Sequence, residues 1–331
     1  MSNGELHPQE ITCPPAPAEV DVEVLEPRLV PLGGPRAMTV RRTLPQRSRS
    51  LIGAWCFADH YGPDDVRTSG GMAVPGHPHT GLQTVTWLFT GEVDHRDTVG
   101  SVQRIRPGEV NLMTSGRGIA HSEYSTPETA TLHGVQLWTA LPEAARFSDR
   151  AFEHFVTRPV EHGAATVRTF VGSFAGSSSP VTTFTPLLGA EITLPPGEEV
   201  RFELDPAYEH GVLVDLGPVA VDGFHVEPAA LSYHPLGRTT LVLRSGDAPA
   251  RVVLLGGEPL DEEIVMWWNF IGRSHDEIVR FREEWMAQAH ASTGGGSTDA
   301  YGPFPEAWNG TVLPAPELPH TRLTPRKRPP G

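Results

Sequence analysis

The sequence predicts an all-β protein of two barrel or sandwich domains, followed by one helix and an extended tail. The 331-residue chain contains 34 glycines and 33 prolines, and this composition favours many turns over long helices. Short apolar runs recur between turn residues in both halves of the chain, as in barrels and sandwiches. A chain of this length usually forms two domains, each with a sizeable buried core.

The first half of the chain contains the most regular strand pattern. Residues 1–21 are polar and proline-rich, and we expect them to be disordered. Residues 22–145 form the predicted first domain, in which short apolar runs alternate with turns. Its clearest predicted strands cover residues 84–89, 110–113 and 133–138.

The second half repeats this rhythm over a similar length. Residues 160–272 form the predicted second domain, and its strands include residues 191–194, 211–214, 239–243 and 251–255. A proline-glycine turn precedes a strand in both halves, at Pro107-Gly108 and at Pro196-Gly197. This shared detail hints at an internal duplication.

Residues 273–331 are predicted to form a helix and a C-terminal tail. Ser274 and Glu277 have the spacing of a capping box, which marks a helix N-terminus. Three apolar residues then follow at helical spacing: Ile278, Phe281 and Trp285. The tail carries four residues that are too apolar for a linker: Phe304, Trp308, Leu313 and Leu318. We expect the tail to run extended over the second domain.

Charge and composition exclude several classes of function. The net charge of −14 disfavours direct binding of nucleic acid, which requires cations that neutralise phosphates. No run of about 18 apolar residues exists, so we expect no membrane span. The first twenty residues lack the basic and apolar segments of a signal peptide, so we expect a cytoplasmic protein.

Two short strings carry the residues that point to chemistry. His77 and His79 flank Pro78, while His121 and Glu123 flank a serine. Residues i and i+2 share a face of a strand, so each pair would point the same way. Pro78 cannot donate a ladder hydrogen bond, which places it at a strand start or edge.

Two such strands facing one another would bring three imidazoles and one carboxylate together. This donor set suits a mononuclear metal centre with room for water or substrate. The alternative is an ordinary one, because a protein with 15 histidines often contains two histidines at this spacing on its surface.

The same alternation predicts the lining of a substrate pocket. The face of His77 and His79 would continue along the next strand as Gln83, Val85, Trp87 and Phe89. Thr84 and Thr86 would then face outward, and Met113 would join the pocket from a neighbouring strand. A plain barrel core explains the four apolar residues of this set equally well.

Three motifs resemble the pirin family, whose members are two-domain proteins of the cupin superfamily. The motifs are GHPHTGLQTVTWLFTGEVDHRD, RPGEVNLMTSGRGIAHSE and HGVQLWTALP, and the resemblance extends over residues 22–290. It implies two tandem cupin domains, with one metal ion, usually iron, in the first. It also implies the ligands, at His77, His79, His121 and Glu123. The second domain has no matching ligand set, and we predict that it binds no metal.

The resemblance also implies an activity. Several pirins show quercetin 2,3-dioxygenase activity, so the chain is expected to act on a small aromatic substrate such as a flavonol. Three neutral imidazoles and a carboxylate suit Fe(II), Mn(II), Ni(II), Cu(II) or Zn(II), and the resemblance favours Fe(II). Glu123 is the only acidic ligand, which makes it the candidate catalytic base.

Two alternatives remain open from the sequence. Some pirins are regulators that bind a protein partner in response to the state of their metal, without catalysis. An oxygenase with a different natural substrate is the other alternative, because no residue of the sequence specifies a flavonol.

Overall fold

The computed structural model describes residues 22–31, 38–291, 300–304, 308 and 312–325. These residues form two antiparallel barrels, a long C-terminal helix and part of a tail. The predicted all-β fold with two tandem domains and a C-terminal helix is therefore confirmed. The disorder expected for residues 1–21 concerns a segment outside the described residues.

The first half of the described chain contains twelve strands and one short helix. They are β1 (Glu23–Leu25), β2 (Arg28–Pro31), β3 (Thr39–Leu44), β4 (Trp55–Asp65), α1 (Val66–Ser69), β5 (Ala73–His79), β6 (Leu82–Thr90), β7 (Val93–Asp97), β8 (Val102–Ile105), β9 (Glu109–Thr114), β10 (Ile119–Ser125), β11 (Thr131–Ala140) and β12 (Ala151–Val156).

The second half contains fourteen strands and one long helix. They are β13 (Val160–His162), β14 (Ala165–Val171), β15 (Ser173–Phe174), β16 (Ser177–Ser178), β17 (Leu187–Leu194), β18 (Glu199–Glu203), β19 (Glu209–Leu216), β20 (Val219–Val221), β21 (Phe224–Val226), β22 (Leu231–His234), β23 (Thr240–Ser245), β24 (Ala250–Gly257), β25 (Val265–Trp267), β26 (Phe270–Gly272) and α2 (His275–Ala291).

The first barrel consists of two antiparallel sheets that face each other. The larger sheet has seven strands in the order β12-β9-β6-β11-β4-β3-β2, and the smaller has four in the order β5-β10-β7-β8. The Thr86 hydroxyl on β6 lies 3.1 Å from a carboxylate oxygen of Glu123 on β10. This contact crosses from one sheet to the other, so both side chains lie in the barrel interior.

The second barrel repeats this arrangement. Its larger sheet has seven strands in the order β1-β22-β19-β24-β17-β14-β13, and its smaller sheet has four in the order β18-β23-β20-β21. Apolar side chains from both sheets fill its interior, among them Val212 and Val214 of β19 and Phe202 of β18. Alternating strand residues thus supply a core, as the repeated apolar runs predicted.

The outer faces of the two seven-stranded sheets pack together and join the barrels. One continuous apolar core contains Trp87 and Leu137 from the first barrel and Phe170 and Leu213 from the second. The rings of Trp87 and Phe170 stack with their centroids 4.9 Å apart. The two domains therefore share a core in addition to having one each.

Two strands join a barrel in a way that the predicted domain boundaries do not describe. β1 pairs with β22 of the second barrel, although residues 22–145 were assigned to the first domain. β12 pairs with β9 of the first barrel, although it follows residue 145. β1 thus belongs to the sheet of the other barrel, and β12 extends the first barrel beyond residue 145.

The C-terminal helix begins as the capping box predicted. The Ser274 hydroxyl accepts a hydrogen bond from the backbone N–H of Glu277 at 3.3 Å, and α2 starts at the next residue, His275. The predicted apolar stripe is confirmed, because Ile278, Phe281 and Trp285 are all buried. Among the described residues, no helix has both the length and the apolar character needed to cross a membrane.

The tail follows a different course from the one expected. The backbone N–H of Leu313 donates to the Gly76 carbonyl at 2.7 Å, and the indole of Trp285 donates to the Leu313 carbonyl at 2.9 Å. A Cβ on Gly76 would lie 2.1 Å from the ring of Trp308, so any larger residue here would displace that ring. The expectation that the tail covers the second domain is wrong here, because it packs on α2 and on β5 of the first barrel.

Candidate metal centre

Two adjacent strands position the predicted ligands. β5 carries His77 and His79 at its end, and β10 runs antiparallel beside it with His121 opposite His77. β5 is the edge strand of its sheet, which confirms the position predicted from Pro78. An irregularity in the β10 register between His121 and Glu123 leaves Glu123 opposite Val74.

Three of the predicted ligands form a compact cluster. The ligand atoms of His77, His79 and His121 all lie within 4.8 Å of one another. The Nε2 atoms of His79 and His121 are 3.1 Å apart, and the ring centroids of His77 and His121 are 4.3 Å apart. All three side chains are fully buried. The histidine pair is therefore not a surface feature.

The three imidazoles are neutral and available as ligands. The Nδ1–H of His77 donates to the Pro75 carbonyl at 2.8 Å, which leaves the lone pair on Nε2. That Nε2 is buried and has no hydrogen-bond partner among the described residues. Burial lowers the pKa of His77 to about 3 and the pKa values of His79 and His121 well below the usual range. This donor set fits a divalent metal ion.

Glu123 lies in the same interior but nearer to one side of the cluster. Its ligand atom falls within 4.8 Å of those of His95 and His121. One carboxylate oxygen lies 3.1 Å from the Thr86 hydroxyl, which in turn lies 2.9 Å from Gln136. The structure thus brings the three histidines together and holds the carboxylate beside His121.

Four of the five residues assigned to the pocket lie elsewhere. Gln83 donates to the Thr182 carbonyl at 2.9 Å, and the Trp87 indole donates to Glu191 at 2.6 Å. Phe89 lies against Arg251, and Val85 belongs to the core between the barrels. These side chains face the second barrel, so the predicted lining is wrong for Gln83, Val85, Trp87 and Phe89.

The turn between β5 and β6 explains why these four side chains face the second barrel. Gly81 has a φ of +68°, and a Cβ there would lie 2.4 Å from the Ile271 carbonyl oxygen. At this glycine the chain passes from the smaller sheet to the larger one. As a result, the residues that follow His79 at every second position on β6 point away from the interior that holds the histidines. Thr84 and Thr86 consequently face the interior. Met113 is opposite Thr84 in register and shares that side, so it stays a predicted lining residue.

His95 and Asp97 on β7 complete the site and were not predicted. His95 Nε2 lies 3.0 Å from Asp97 Oδ2, and His95 Nδ1 lies 3.4 Å from His121 Nδ1. Asp97 is itself fixed, because its other oxygen accepts from the backbone N–H groups of Val99 and Ser101. The carboxylate thus orients His95, and His95 orients His121. In the sequence, His95 and Asp97 are two residues apart in the string DHRD, and this spacing was the signal that could have predicted their pairing on one face of a strand.

This chain of contacts gives a testable result. Asp97→Asn keeps an oxygen for the loop but presents an amide N–H to His95. His95 then loses the acceptor that fixes its tautomer, and His121 loses its partner at Nδ1. Metal affinity should fall about 10- to 100-fold, as for other residues that orient ligands. Competition with a fluorescent chelator measures this change.

Asp94→Asn is the matched control on the same strand. Asp94 pairs with Arg104 at 2.8 Å on a partly exposed surface, away from the histidines. Its metal affinity should stay at the wild-type value. Equal affinities for all three proteins would show that Asp97 has no role in orienting the ligands.

A second buried cluster joins the two barrels, and its side chains are arranged for ion pairing and hydrogen bonding and not for metal binding. Asp215 of the second barrel lies 2.6 Å from both His60 and His133 of the first, and Arg251 donates to it at 2.6 Å. Arg41 donates to Nδ1 of His60 at 3.3 Å, so the proton of neutral His60 is on the Nε2 that faces Asp215. Two guanidinium groups and a protonated Nε2 suit an ion and hydrogen-bond cluster.

The fold and the site together define a bicupin with a histidine-rich centre in its first barrel. The family model described as pirin matches residues 37–139, and the model of the pirin C-terminal cupin domain matches residues 189–290. The chain belongs to the pirin family.

Relatives of the chain resemble it over most of their length. A Pseudomonas aeruginosa protein named "Putative quercetin 2,3-dioxygenase" is 45% identical over 259 residues, covering 78% of this chain and 81% of the relative. A pirin-like protein of Caulobacter vibrioides is 35% identical, and the match covers 75% of this chain and 88% of the relative. A crystal structure of quercetin 2,3-dioxygenase from Acinetobacter baumannii has a TM-score of 0.83 at 34% identity, covering 92% of this chain and 98% of the other.

Proposed function

We propose that this protein is a metal-dependent dioxygenase that cleaves a flavonol such as quercetin inside the first barrel. The observation that carries the proposal is the set of three buried, neutral imidazoles at His77, His79 and His121. The names of the Pseudomonas and Acinetobacter proteins support the reaction class. In this reaction a flavonol and dioxygen give a phenolic ester and carbon monoxide.

The proposed cofactor is one divalent metal ion, with Fe(II) as the preferred identity. His77, His79, His121 and Glu123 would hold it, because they supply the nitrogen and oxygen donors that such ions prefer. When bound, such an ion would supply Lewis-acid and redox chemistry for the reaction of the substrate with dioxygen. Mn, Ni, Cu or Zn would fit the same donors.

Glu123 is the proposed base for the flavonol 3-hydroxyl proton. Its carboxylate is buried in the barrel, and Thr86 lies at hydrogen-bond distance from one of its oxygens. Removal of that proton would convert the flavonol into an anion, which a metal cation binds more tightly than it binds the neutral hydroxyl. The contact with Thr86 orients one of the two carboxylate oxygens.

Aromatic side chains of the interior would hold the flat rings. The ring of Trp138 lies edge-on to His79 at 5.1 Å, and Phe152 stacks on His95 at 4.6 Å. Met113 is buried on the same side of the larger sheet as Thr84. Such a surface excludes water from the reacting centre and favours planar, apolar ligands.

The deciding experiment combines metal analysis with an aerobic assay. Protein purified without an affinity tag should contain about one metal ion per chain by elemental analysis. Added quercetin should be consumed together with dioxygen, and carbon monoxide should appear. A loaded metal without turnover of quercetin or related flavonols would contradict the proposal and favour a regulator that binds a protein partner.

Glu123→Gln tests the role of the carboxylate. The variant keeps the shape and one oxygen donor but cannot accept the proton. Turnover should therefore fall by about 100-fold or more, while the bound metal falls much less. Glu128→Gln is the control, because Glu128 lies on the surface with its side chain 70% exposed. If Glu123→Gln lost metal and turnover to the same extent, Glu123 would act only as a metal ligand and not as the base.

A further inference from the structure

A cavity opens at one end of the second barrel, far along the chain from the histidine cluster. It has a volume of about 600 Å³, within the range of sites for small molecules. Its lining comes from both sheets and from the β15–β16 hairpin, and includes His162, Phe174, Leu188, Leu204 and His210. The shape of the second barrel thus provides room for a ligand of its own.

His210 is the unusual member of this lining. It is only 1% exposed, and its Nδ1 is buried without a hydrogen-bond partner among the described residues. Its neighbours on the same face of β19, Val212 and Val214, are core residues. An unsatisfied buried polar group destabilises a protein, so a ligand that forms a hydrogen bond with His210 Nδ1 is favoured by removing that cost.

The state of His210 restricts what it can bind. Burial, with a smaller effect of His234, lowers its pKa to about 4. The imidazole is therefore neutral at pH 7 and offers one N–H donor and one nitrogen acceptor. The unpartnered Nδ1 is a donor in one tautomer and an acceptor in the other, and a hydroxyl group can pair with it in either case.

The walls and the mouth narrow the ligand class further. Phe174, Leu188 and Leu204 are buried apolar walls, and a sugar with many hydroxyls would leave most of them unpaired there. At the mouth, the two exposed carboxylates of Glu203 and Asp205 outnumber the one exposed guanidinium, that of Arg201, and this balance disfavours anions. The lining has no buried carboxylate to hold a cation.

We propose that this cavity binds a neutral hydroxylated aromatic compound, with a hydroxyl on His210 and the ring against Phe174, Leu188 and Leu204. The site is separate from the metal centre and does not depend on the proposed reaction. Its ligand belongs to the same chemical class as the proposed substrate, so the second barrel would bind such a compound without converting it.

Resorcinol is the probe, because its two hydroxyls are too far apart to chelate one metal ion. Calorimetric titration of the full chain should show saturable binding of one resorcinol. His210→Phe should weaken it by about tenfold, the equivalent of one lost hydrogen bond. His225→Phe, at an exposed position of the same domain, and His79→Ala in the first barrel should bind as the wild type does.

Each other outcome overturns the proposal. These outcomes are no saturable binding, undiminished binding to His210→Phe, or binding lost in His79→Ala, which would place resorcinol in the first barrel. Benzoate and benzylammonium should bind more weakly than resorcinol, and equal binding of either would refute the neutral class. If His210→Phe fails to fold, Leu204→Phe replaces it in the same titration. This variant narrows the cavity and leaves His210 in place, so it should weaken resorcinol binding, and undiminished binding would overturn the proposal.

Discussion

Replacing His121 with alanine should remove the metal. His121 is the central residue of the site, because its Nε2 lies 3.1 Å from His79 and its Nδ1 lies 3.4 Å from His95. Its loss removes one ligand and the link to the orienting pair at the same time. Metal affinity should fall by more than about 100-fold, beyond the effect of residues that only orient ligands. Elemental analysis of the purified variant and chelator competition measure this loss.

The matched control for this prediction is His225→Ala. His225 is also a histidine on a strand, but its side chain is 57% exposed and pairs with Glu227. Its metal content should equal that of the wild type. A His121→Ala protein that folds, judged by its thermal unfolding, and still holds a full equivalent of metal would refute the assigned site.

Replacing Asp215 with asparagine should cause the largest loss of stability. Asp215 accepts from Arg251 and lies 2.6 Å from His60 and His133, with its side chain fully buried. The variant leaves the guanidinium and both imidazoles without their shared anion. Removing one partner of a buried ion pair lowers the free energy of unfolding by about 3–5 kcal/mol. Chemical denaturation followed by tryptophan fluorescence measures this change.

Asp149→Asn is the control, because Asp149 pairs with Arg117 on the surface with its side chain 91% exposed. Exposed pairs contribute about 1 kcal/mol or less, so this variant should unfold nearly as the wild type does. An equal, small effect of both substitutions would show that the cluster contributes little to the joining of the barrels.

The pH dependence of the Asp215→Asn effect has a definite sign. Burial raises the pKa of Asp215, but hydrogen bonds from His133 and His60 outweigh it and hold the pKa below the usual range. The stabilisation is thus fully present above the pKa of unfolded Asp, about 3.9, and is lost as pH falls further. The difference between wild type and variant should therefore shrink as the pH falls below about 4.

Local strand geometry explains why much of the metal site was predictable. The alternation of side chains placed His77 with His79, and the missing N–H of Pro78 placed them on an edge strand. The same rule failed after Gly81, because a positive φ at one residue moved the chain into another sheet. Alternation is reliable within a strand and gives no information across a turn.

Other parts of the structure depend on pairings that no local pattern specifies. His95 reaches the site only because β7 lies beside β10, where it is opposite Glu123. Asp215 meets His60 from a position 155 residues further along the chain. Both contacts follow from the order of strands in the sheets and from the packing of one barrel on the other.

The position of β1 has a consequence for synthesis on the ribosome. Glu23 pairs with Tyr233, so the first described strand waits for a partner that is made 210 residues later. At 5–20 residues per second, this delay is about 10–40 s. During that time the first barrel can form while β1 stays an unpaired strand, which other nascent chains could capture. The pairing of the N-terminal strand with the edge of the second barrel therefore follows the synthesis of β22.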